Sequence, residues 1–550
     1  MANQTSAVTF LRTNPNLTEN SVSFKDRIDQ VIACHANARR NEDIDSPEAM
    51  RSLSDKIYDA FQDHQRETVE STKRAEKGIQ ESFQVISRFI AENGGSTEKT
   101  PEEMAKFERG LHERMMEVER GILGNELATY DVDAEAIIVG GQTLRRTLRQ
   151  KKTYLFGAGE VTVERWLYRD RAEVDARCVC PMELRAGIIE GFWSGEAAKL
   201  ATWVVAQFTP VKSEELFMRT GNMKPSKSSL GRLVKDVSDR WEENREEHES
   251  SLRDAIVVPK DAASVAISLD GVLIPFDKPA TTTDKSAKKV EEDSSPEGVP
   301  YREATCATVC FCDHTGEMLS AIRMARAPET KKTTIKGMLK KTVEAVRKAR
   351  PDLPIVKIAD AAKDNWAFLG SNAFPDGPQV VDFYHASQHL NEAVKSVYGA
   401  NTDEAKSKYE DFRSTLRHHK YGVGKVISFL QNLLDHHPCN KTVKREIAFF
   451  TKNRKRMRYA YVAERGMMIG SGVVEAACKT LVAQRLKRSG MRWSAKGAQA
   501  ILTPRGWDQS DSFDKAWALV AATYGAKVTV LAHVINIRRS DERIHREKEP

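Results

Sequence analysis

The sequence has 550 residues, which exceeds what one hydrophobic core usually serves and predicts about two to four domains. Charged residues make up 30% of it, and no apolar run approaches the roughly 20 residues of a membrane-spanning helix, which argues against a membrane protein. The N-terminus lacks a secretory signal and the eight cysteines show no paired CxxC spacing, so we expect a cytoplasmic protein without a zinc ribbon or a disulfide framework.

Basic residues are unevenly distributed along the chain. The formal net charge is only +7, but the segment from Ala476 to Lys496 carries six basic residues and no acidic one. The segment from Lys441 to Arg458 carries eight basic residues and a single acid, Glu446. Local basic segments of this kind favour a polyanionic partner.

The first 255 residues predict two regions. Apolar residues recur at spacings of three and four up to about residue 128, and Thr100-Pro101-Glu102-Glu103 has the pattern of a capping box, so residues 1–130 are predicted to be helical. This region suits either an assembly or DNA-contacting module or a plain packing domain.

Residues 131–255 are predicted to combine a β-hairpin with a pair of helices. Apolar and polar residues alternate up to Tyr168 after the turn Gly157-Ala158-Gly159, which is typical of a hairpin. Ser213 to Val234 predicts two helices joined by a short turn. A DNA-reading helix-turn-helix and an ordinary helical hairpin both fit that pattern.

From Ala263 the pattern changes to strand, strand, strand, helix, strand, helix, strand, interrupted by a polar linker from Lys278 to Gly298. Asp270 lies in the first of these strands, on the face opposite Val265, Ile267 and Leu269, and Asp360 ends the strand that begins at Ile355. A carboxylate in such a place must be paired, protonated or bound to metal, because an isolated buried charge is costly. Either aspartate alone could instead be a turn or helix-cap residue.

Glu475 is the third acidic candidate. It follows the turn Gly470-Ser471-Gly472 at the start of an amphipathic helix, where a carboxylate could simply favour the helix dipole. Together with the two aspartates, however, it could supply oxygen ligands to two Mg²⁺ or Mn²⁺ ions about 3.5–4 Å apart, the arrangement used in phosphodiester chemistry.

Several segments of the sequence resemble a known family. IADAAKDNW (358–366), VVDFYHASQHL (380–390) and GSGVVEAACKTLVAQRLKRSGMRWSAKGAQAIL (470–502) are similar to the ISKra-type family of bacterial insertion-sequence transposases, and FGAGEVTVERWLYRD (156–170) is similar more loosely. The resemblance covers roughly residues 140 to 505. It implies a DDE-type enzyme with an RNase H-like catalytic core that a helical insertion splits before the glutamate.

On that resemblance the fold is expected to be a multidomain α/β protein, with helical and β-hairpin/helix-turn-helix regions before the core. The first part of the core would span 256–390, the helical insertion 391–465, the second part with the catalytic glutamate helix 466–520, and a C-terminal helix and charged tail 521–550. The triad would be Asp270, Asp360 and Glu475, all three both catalytic and metal-binding.

The resemblance also implies a reaction and partners. The chain would cleave insertion-sequence ends with two metal ions and transfer the strand into target DNA, so its partners would be double-stranded DNA ends and target DNA. We expect a homo-oligomer, associated with the nucleoid when bound to DNA. Two alternatives remain open: a catalytically silent DNA-binding regulator derived from a transposase, and an RNase H-fold nuclease that cuts without joining.

His385 and the basic segment complete the expected site. Asp382-Phe383-Tyr384-His385 resembles the D-x-x-H element of Mutator-like transposases, which places His385 near the scissile phosphate, although a structural histidine or a metal pair with His389 would also fit. The expected DNA-binding residues follow Glu475: Lys479, Arg485, Lys487, Arg488, Arg492, Trp493 and Lys496.

Two positions depart from the family pattern. Ala361 stands where a glycine is expected after the second aspartate, which restricts the backbone conformations open to that loop. Pro504 is predicted to end the helix that would otherwise continue past Leu502.

Overall fold

A computed structural model of the chain describes residues 55–56, 58–59, 62, 84–95, 99–173, 176–277 and 300–531. Across these ranges, no helix combines the length and the apolarity that crossing a membrane requires. The fold is mixed α/β with two sheets, and the chain divides into two compact units, one made of 1–197, 221–223 and 524–550, the other of 198–220 and 224–523. The predicted linker from Lys278 to Gly298 lies outside the described residues.

A long helix and an antiparallel sheet form the described part of the first unit. Its elements are α1 (Pro101–Thr129), β1 (Ala136–Val139), β2 (Gln142–Phe156), β3 (Gly159–Arg169) and α2 (Pro181–Ala186). The predicted capping box is confirmed, because Thr100 Oγ1 accepts from Glu103 N at 3.2 Å and the Glu103 carboxylate accepts from Thr100 N at 2.9 Å. The predicted hairpin is confirmed as β2 and β3.

The C-terminal part of this sheet differs from expectation. Residues 521–550 were expected to hold a helix and a tail, but Val528–Leu531 forms strand β9, which pairs antiparallel with β1. Val528 and Val530 pack against the small apolar cluster around Ile137 and Tyr168. Val528 and Val530 alternate with Thr529 and Leu531, and β-branched residues of this kind favour a strand when one face can be buried.

The second unit begins with helices. These are α3 (Gly195–Gln207, which starts in the first unit), α4 (Pro210–Thr220), α5 (Lys227–Glu243) and α6 (Arg245–Asp254). The two predicted helices between Ser213 and Val234 are confirmed as parts of α4 and α5. The expected 131–255 region is divided, however, because its hairpin lies in the first unit and these helices in the second.

The second sheet has the predicted sequence of elements. They are β4 (Ser264–Pro275), β5 (Tyr301–Cys312), β6 (Met318–Arg326), α7 (Thr333–Ala349), β7 (Ile355–Ala359), α8 (Lys363–Leu369) and β8 (Gln379–Val381). The strand order is β6-β5-β4-β7-β8, with antiparallel pairing among β4, β5 and β6 and parallel pairing of β4 with β7 and of β7 with β8. Both faces of β4 are buried from Ser264 to Leu269, so this strand runs through the core.

Helices follow β8 to the end of the unit. They are α9 (Phe383–Tyr398), α10 (Asp403–His418), α11 (Gly422–His436), α12 (Lys441–Asn453), α13 (Tyr459–Ala463), α14 (Gly472–Ala477), a π-helical turn (Cys478–Ala483), α15 (Gln484–Leu486), α16 (Ala495–Gln509) and α17 (Phe513–Ala522). The predicted helical insertion, 391–465, thus corresponds to the second half of α9 through α13.

The prediction that Pro504 ends its helix is wrong, because α16 continues through it to Gln509. A proline inside a helix costs about 3 kcal/mol, so packing must offset it. The next residue shows how: the Arg505 guanidinium is buried and donates to Leu481 O at 2.8 Å and to Ala206 O at 2.6 Å. Tertiary hydrogen bonds next to the proline therefore help the helix to continue through a residue that disfavours it locally.

Candidate active site

Asp270 and Asp360 lie on adjacent parallel strands. In the pairing of β4 with β7, Ser268 is opposite Ile358, and each aspartate follows two residues later. Asp360 comes directly after β7, whereas Asp270 lies inside β4, which continues to Pro275. Burial raises the pKa of the Asp270 carboxyl above its ordinary value, and the neighbouring charge of Asp360 adds to that rise against a hydrogen bond from Gly271 N.

Asn365 fixes the position of Asp360. Its buried side-chain amide donates to Asp360 Oδ1 at 3.0 Å and to Leu269 O at 3.3 Å, so it connects the loop after β7 to β4. Trp366 Nε1 also donates to Asp360 O at 2.6 Å. Ala361 does not adopt a positive φ, so this loop does not depend on glycine at that position.

Neither aspartate forms an ion pair with a basic side chain within the described ranges. Both are half-buried, and their hydrogen-bond donors are neutral groups such as Gly271 N and the Asn365 amide. Two adjacent carboxylates without a cationic partner fit the oxygen-rich, negative environment that a divalent cation prefers. Where residues are described, no group of three or more His, Cys, Asp or Glu side chains is arranged to hold a metal ion.

The Glu475 carboxylate is not brought to the two aspartates. It is exposed and pairs with Lys479 one turn later, at 2.8 Å. The next turn of the same helix does reach the site, because Cys478 Sγ lies 3.8 Å from Asp270 Oδ2. The helical segment that carries Glu475 therefore packs beside Asp270 through Cys478, while the Glu475 carboxylate is paired with the exposed Lys479.

Asp382 joins the glutamate segment to the sheet. This buried side chain caps α9 by accepting from His385 N at 3.1 Å, and it also accepts from Ser471 N at 2.8 Å. Backbone hydrogen bonds run from Phe383 N to Ile469 O and from Asp382 N to Ala359 O. The Asp382 carboxylate thus fixes the start of α9 and the turn before Glu475, while its backbone amide connects this point to the sheet. Sequence reasoning named Asp382 only as part of a motif.

We expect Asp382→Ala to lower the free energy of unfolding by about 2 kcal/mol, because it leaves Ser471 N and the first amides of α9 without their acceptor. Urea denaturation would measure the loss, and hydrogen exchange should speed up at 470–475. Thr402→Ala is the matched control, since Thr402 caps α10 by accepting from Ala405 N at 3.1 Å. It should cost about 1 kcal/mol without changing exchange at 470–475. Equal exchange changes in both variants would mean that Asp382 does not position the turn.

His385 is half-buried on α9 and lies within electrostatic reach of Asp360 and Asp382. Burial lowers its pKa below the ordinary value, and His389 lowers it further, against those carboxylates. His385 Nε2 lies 3.3 Å from His389 Nε2, and His389 Nδ1 lies 2.5 Å from Glu446 Oε2. Sequence reasoning missed Glu446; its one available signal was its position as the only acid among eight basic residues from Lys441 to Arg458.

Besides Asp360, the carboxylate of Glu303 on β5 lies near Asp270 and raises its pKa further. It pairs with Lys332 at 2.9 Å, and a side chain at position 271 would collide with its carboxylate, so Gly271 leaves the space that Glu303 occupies. Lys331 and Lys332 both have positive φ values, 56° and 55°. Sequence reasoning did not predict this pair, because it joins residues that are far apart in the chain.

The predicted DNA-binding segment is divided between surface and interior. Five of its basic side chains are exposed: Lys479, Lys487, Arg488, Arg492 and Lys496. Arg485 is only 1% exposed and donates to Val205 O at 3.4 Å, so its prediction as a phosphate contact is incompatible with this structure. Trp493 is engaged as well, since its Nε1 donates to Leu486 O at 2.9 Å and its carbonyl accepts from Asp277 N. Burial explains the correction for Arg485, whereas Trp493 is half-buried and its contact with DNA stays a prediction.

Comparison with known proteins assigns no family. No protein-family model matches the chain, and no curated protein matches it either. A solved structure described as the Drosophila P element transposase strand transfer complex is similar over 60% of this chain and 83% of that chain, with 10% sequence identity and a TM-score of 0.23. Values this low do not establish a shared fold.

Proposed function

We propose that this chain is a DDE-type transposase that cleaves insertion-sequence ends and transfers the cut strand into target DNA. The observation that carries the proposal is the pair of half-buried carboxylates, Asp270 and Asp360, on adjacent parallel strands without a basic partner in the described ranges. The sheet order β6-β5-β4-β7-β8, with three antiparallel strands and two further parallel ones, also supports an RNase H-like core, because Asp270 on β4 and Asp360 after β7 occupy equivalent positions on neighbouring parallel strands.

Asp270, Asp360 and Glu475 would hold two Mg²⁺ or Mn²⁺ ions. Bound ions of this kind activate a nucleophile and stabilise the leaving oxygen in phosphodiester chemistry. Glu475 would have to exchange its present partner, Lys479, for the metal. The backbone of α14 need not move in this exchange, because the hydrogen bond from Ser471 N to Asp382 and the contact of Cys478 with Asp270 hold the segment at both ends. Lys479 would then become available to a phosphate group.

Double-stranded DNA is the proposed partner, both as transposon ends and as target. The exposed part of the basic segment supports this, because a cluster of cations attracts phosphates. Lys479 pairs with Glu475 and Lys496 lies 4.0 Å from Asp239, whereas Lys487, Arg488 and Arg492 form no ion pair with an acid among the described residues. The solvent-facing side of α5 carries Lys227, Arg232 and Lys235 and is a second candidate surface, with its apolar side packed inward through Leu230 and Leu233. Residence in the cytoplasm, near the nucleoid, and homo-oligomer formation belong to the same proposal.

A strand-transfer assay tests the function. The purified chain, Mg²⁺ and labelled duplexes carrying the DNA that flanks its gene should yield cleaved ends, and pre-cut ends with a free 3′-hydroxyl should be joined to a target plasmid. Cleavage without joining would instead identify a nuclease. Specific binding to the flanking DNA without either reaction would identify a regulator, and neither binding nor reaction would contradict the proposal.

A further inference from the structure

A hydrogen-bonded chain of three side chains leads away from the candidate site. His385 and His389 lie one turn apart on α9 with their Nε2 atoms 3.3 Å apart. His389 Nδ1 then meets Glu446 Oε2, on α12, at 2.5 Å. Phe449, also on α12, stacks on the His389 ring with centroids 3.7 Å apart, which fixes the plane of that ring. We name these residues the His385–His389–Glu446 chain.

The protonation of this chain follows from Glu446. Its side chain is completely buried, and its other oxygen, Oε1, accepts from Arg445 at 2.6 Å. Burial alone would raise the pKa of the Glu446 carboxyl, but hydrogen bonds from His389 and Arg445 outweigh burial and hold it below the ordinary value. A carboxylate only accepts hydrogen bonds, so His389 carries its proton on Nδ1. With that proton on Nδ1, the Nε2 lone pair of His389 can accept from the Nε2–H of His385.

This arrangement leaves Nδ1 of His385 as an open lone pair, since none of the hydrogen bonds among described residues uses it. The charged groups facing His385 are Asp360 after β7, Asp382 at the start of α9 and Glu446 on α12, and His389 is its titratable neighbour on its own helix. Burial keeps His385 neutral against those carboxylates, because it lowers the pKa of the ring. A neutral imidazole with a free nitrogen is the state that a proton acceptor requires.

We propose that His385, His389 and Glu446 form a proton relay that receives the proton of the attacking hydroxyl group. The inference rests on the proposed phosphoryl transfer. As the attacking oxygen forms its bond to phosphorus, its proton passes to His385 Nδ1, and the His385 Nε2 proton passes to His389 Nε2. The Glu446 carboxylate stabilises the resulting His389 imidazolium, while the bond from phosphorus to the leaving oxygen breaks and that oxygen takes a proton from water.

The relay makes the helical insertion part of the site. Glu446 lies 57 positions after His389 in the chain, and only the packing of α12 on α9 brings the two together. His385 would contact the reacting hydroxyl, whereas His389 and Glu446 are positioning residues that set which ring nitrogen of His385 is free. Two histidines one turn apart can also bind a metal ion. A metal ion on their Nε2 atoms would replace the hydrogen bond between them, so metal binding and the relay are alternatives.

The test is the pH profile of single-turnover strand transfer, measured from about pH 5 to about pH 9 with wild-type protein and variants. His385→Ala should lower the rate at the plateau about 100-fold and remove the inflection. Glu446→Gln should cost about tenfold and move the inflection to lower pH, because a neutral amide no longer stabilises the imidazolium. Glu249→Gln is the matched control, a buried glutamate on α6 outside the site, and should leave the profile unchanged.

Three outcomes would overturn the relay, and each differs from failure of the proposed function. If wild-type protein is active and Glu446→Gln lowers the rate equally at every pH, Glu446 only supports the fold. Nitrogen-15 NMR of histidine-labelled protein needs no activity, and a His389 ring protonated at Nε2 alone would reverse the direction of the chain. Stoichiometric uptake of Co²⁺ with a visible absorption band that His385→Ala removes would identify a metal site. Absence of both cleavage and joining by the wild type contradicts the function itself.

Discussion

Asp360→Asn should reduce both end cleavage and strand transfer by about 10³-fold or more, with DNA affinity changed by no more than about twofold. The amide keeps the size of the side chain and can still accept from Ala362 N, but it removes the charge that would bind a metal ion. Asp270→Asn and Glu475→Gln should have the same effect. Gel assays of cleavage and joining, beside an equilibrium binding measurement, would separate catalysis from binding, and chelation of the metal should reproduce the loss in wild-type protein.

Asp364→Asn provides the matched control. Asp364 is an exposed carboxylate in the first turn of α8, four positions after Asp360, and it lacks contact with Asp270 in the structure. Its variant should retain activity within about twofold of wild type. Retention of more than about a tenth of the activity by Asp360→Asn would remove Asp360 from the metal site. An equal loss of folding stability in both aspartate variants would point to a structural role instead.

Replacing Lys487, Arg488 and Arg492 together by alanine should weaken binding to specific and random duplexes by similar factors. Each phosphate contact contributes about 0.9 to the slope of log affinity against log salt, so losing three should flatten that slope by about two to three units. All three side chains are exposed, and phosphate contacts carry no base information. Filter binding across a salt series with both duplexes would measure the slope.

The control for charge alone is the triple replacement of Lys340, Arg347 and Lys348, which are exposed basic residues on α7. It removes the same net charge from another surface and should change the slope by less than about one unit. An equal change in both triple variants would show that the basic segment is not the DNA contact. Loss of affinity for the specific duplex alone would mean that the segment reads bases.

Much of the second sheet could be predicted from local pattern. The alternation of Val265, Ile267 and Leu269 predicts a buried strand that carries Asp270, and the apolar run before Asp360 predicts the strand next to it. These patterns can be recognised from residues that are close in the chain, because an apolar periodicity marks the face that a strand buries. The pairing of β9 with β1 could not be foreseen in this way, because its partner lies almost 400 positions away.

The basic segment shows why exposure is harder to predict than charge. Arg485 and Arg488 are three positions apart and look equivalent in the sequence, yet one is buried against Val205 O and the other is exposed. Burial lowers the pKa of Arg485 to about 10, so the guanidinium still carries a charge at neutral pH. A buried charge requires hydrogen-bond partners, and the Val205 carbonyl accepts from it. The packing of α3 against α15 is what buries Arg485 and leaves Arg488 exposed.

Asp382 both caps α9 and holds the turn at Ser471, and this has a consequence for how the length of the chain between them can vary. The chain leaves the sheet at Asp382 and returns to the same carboxylate at Ser471, 89 positions later. Closing such an excursion costs entropy that grows only with the logarithm of its length, so halving or doubling it would alter the cost by about 0.6 kcal/mol. Helices α10 and α11, between the two that carry His389 and Glu446, are therefore where insertions and deletions should accumulate in related chains, while the turn before Glu475 keeps its place.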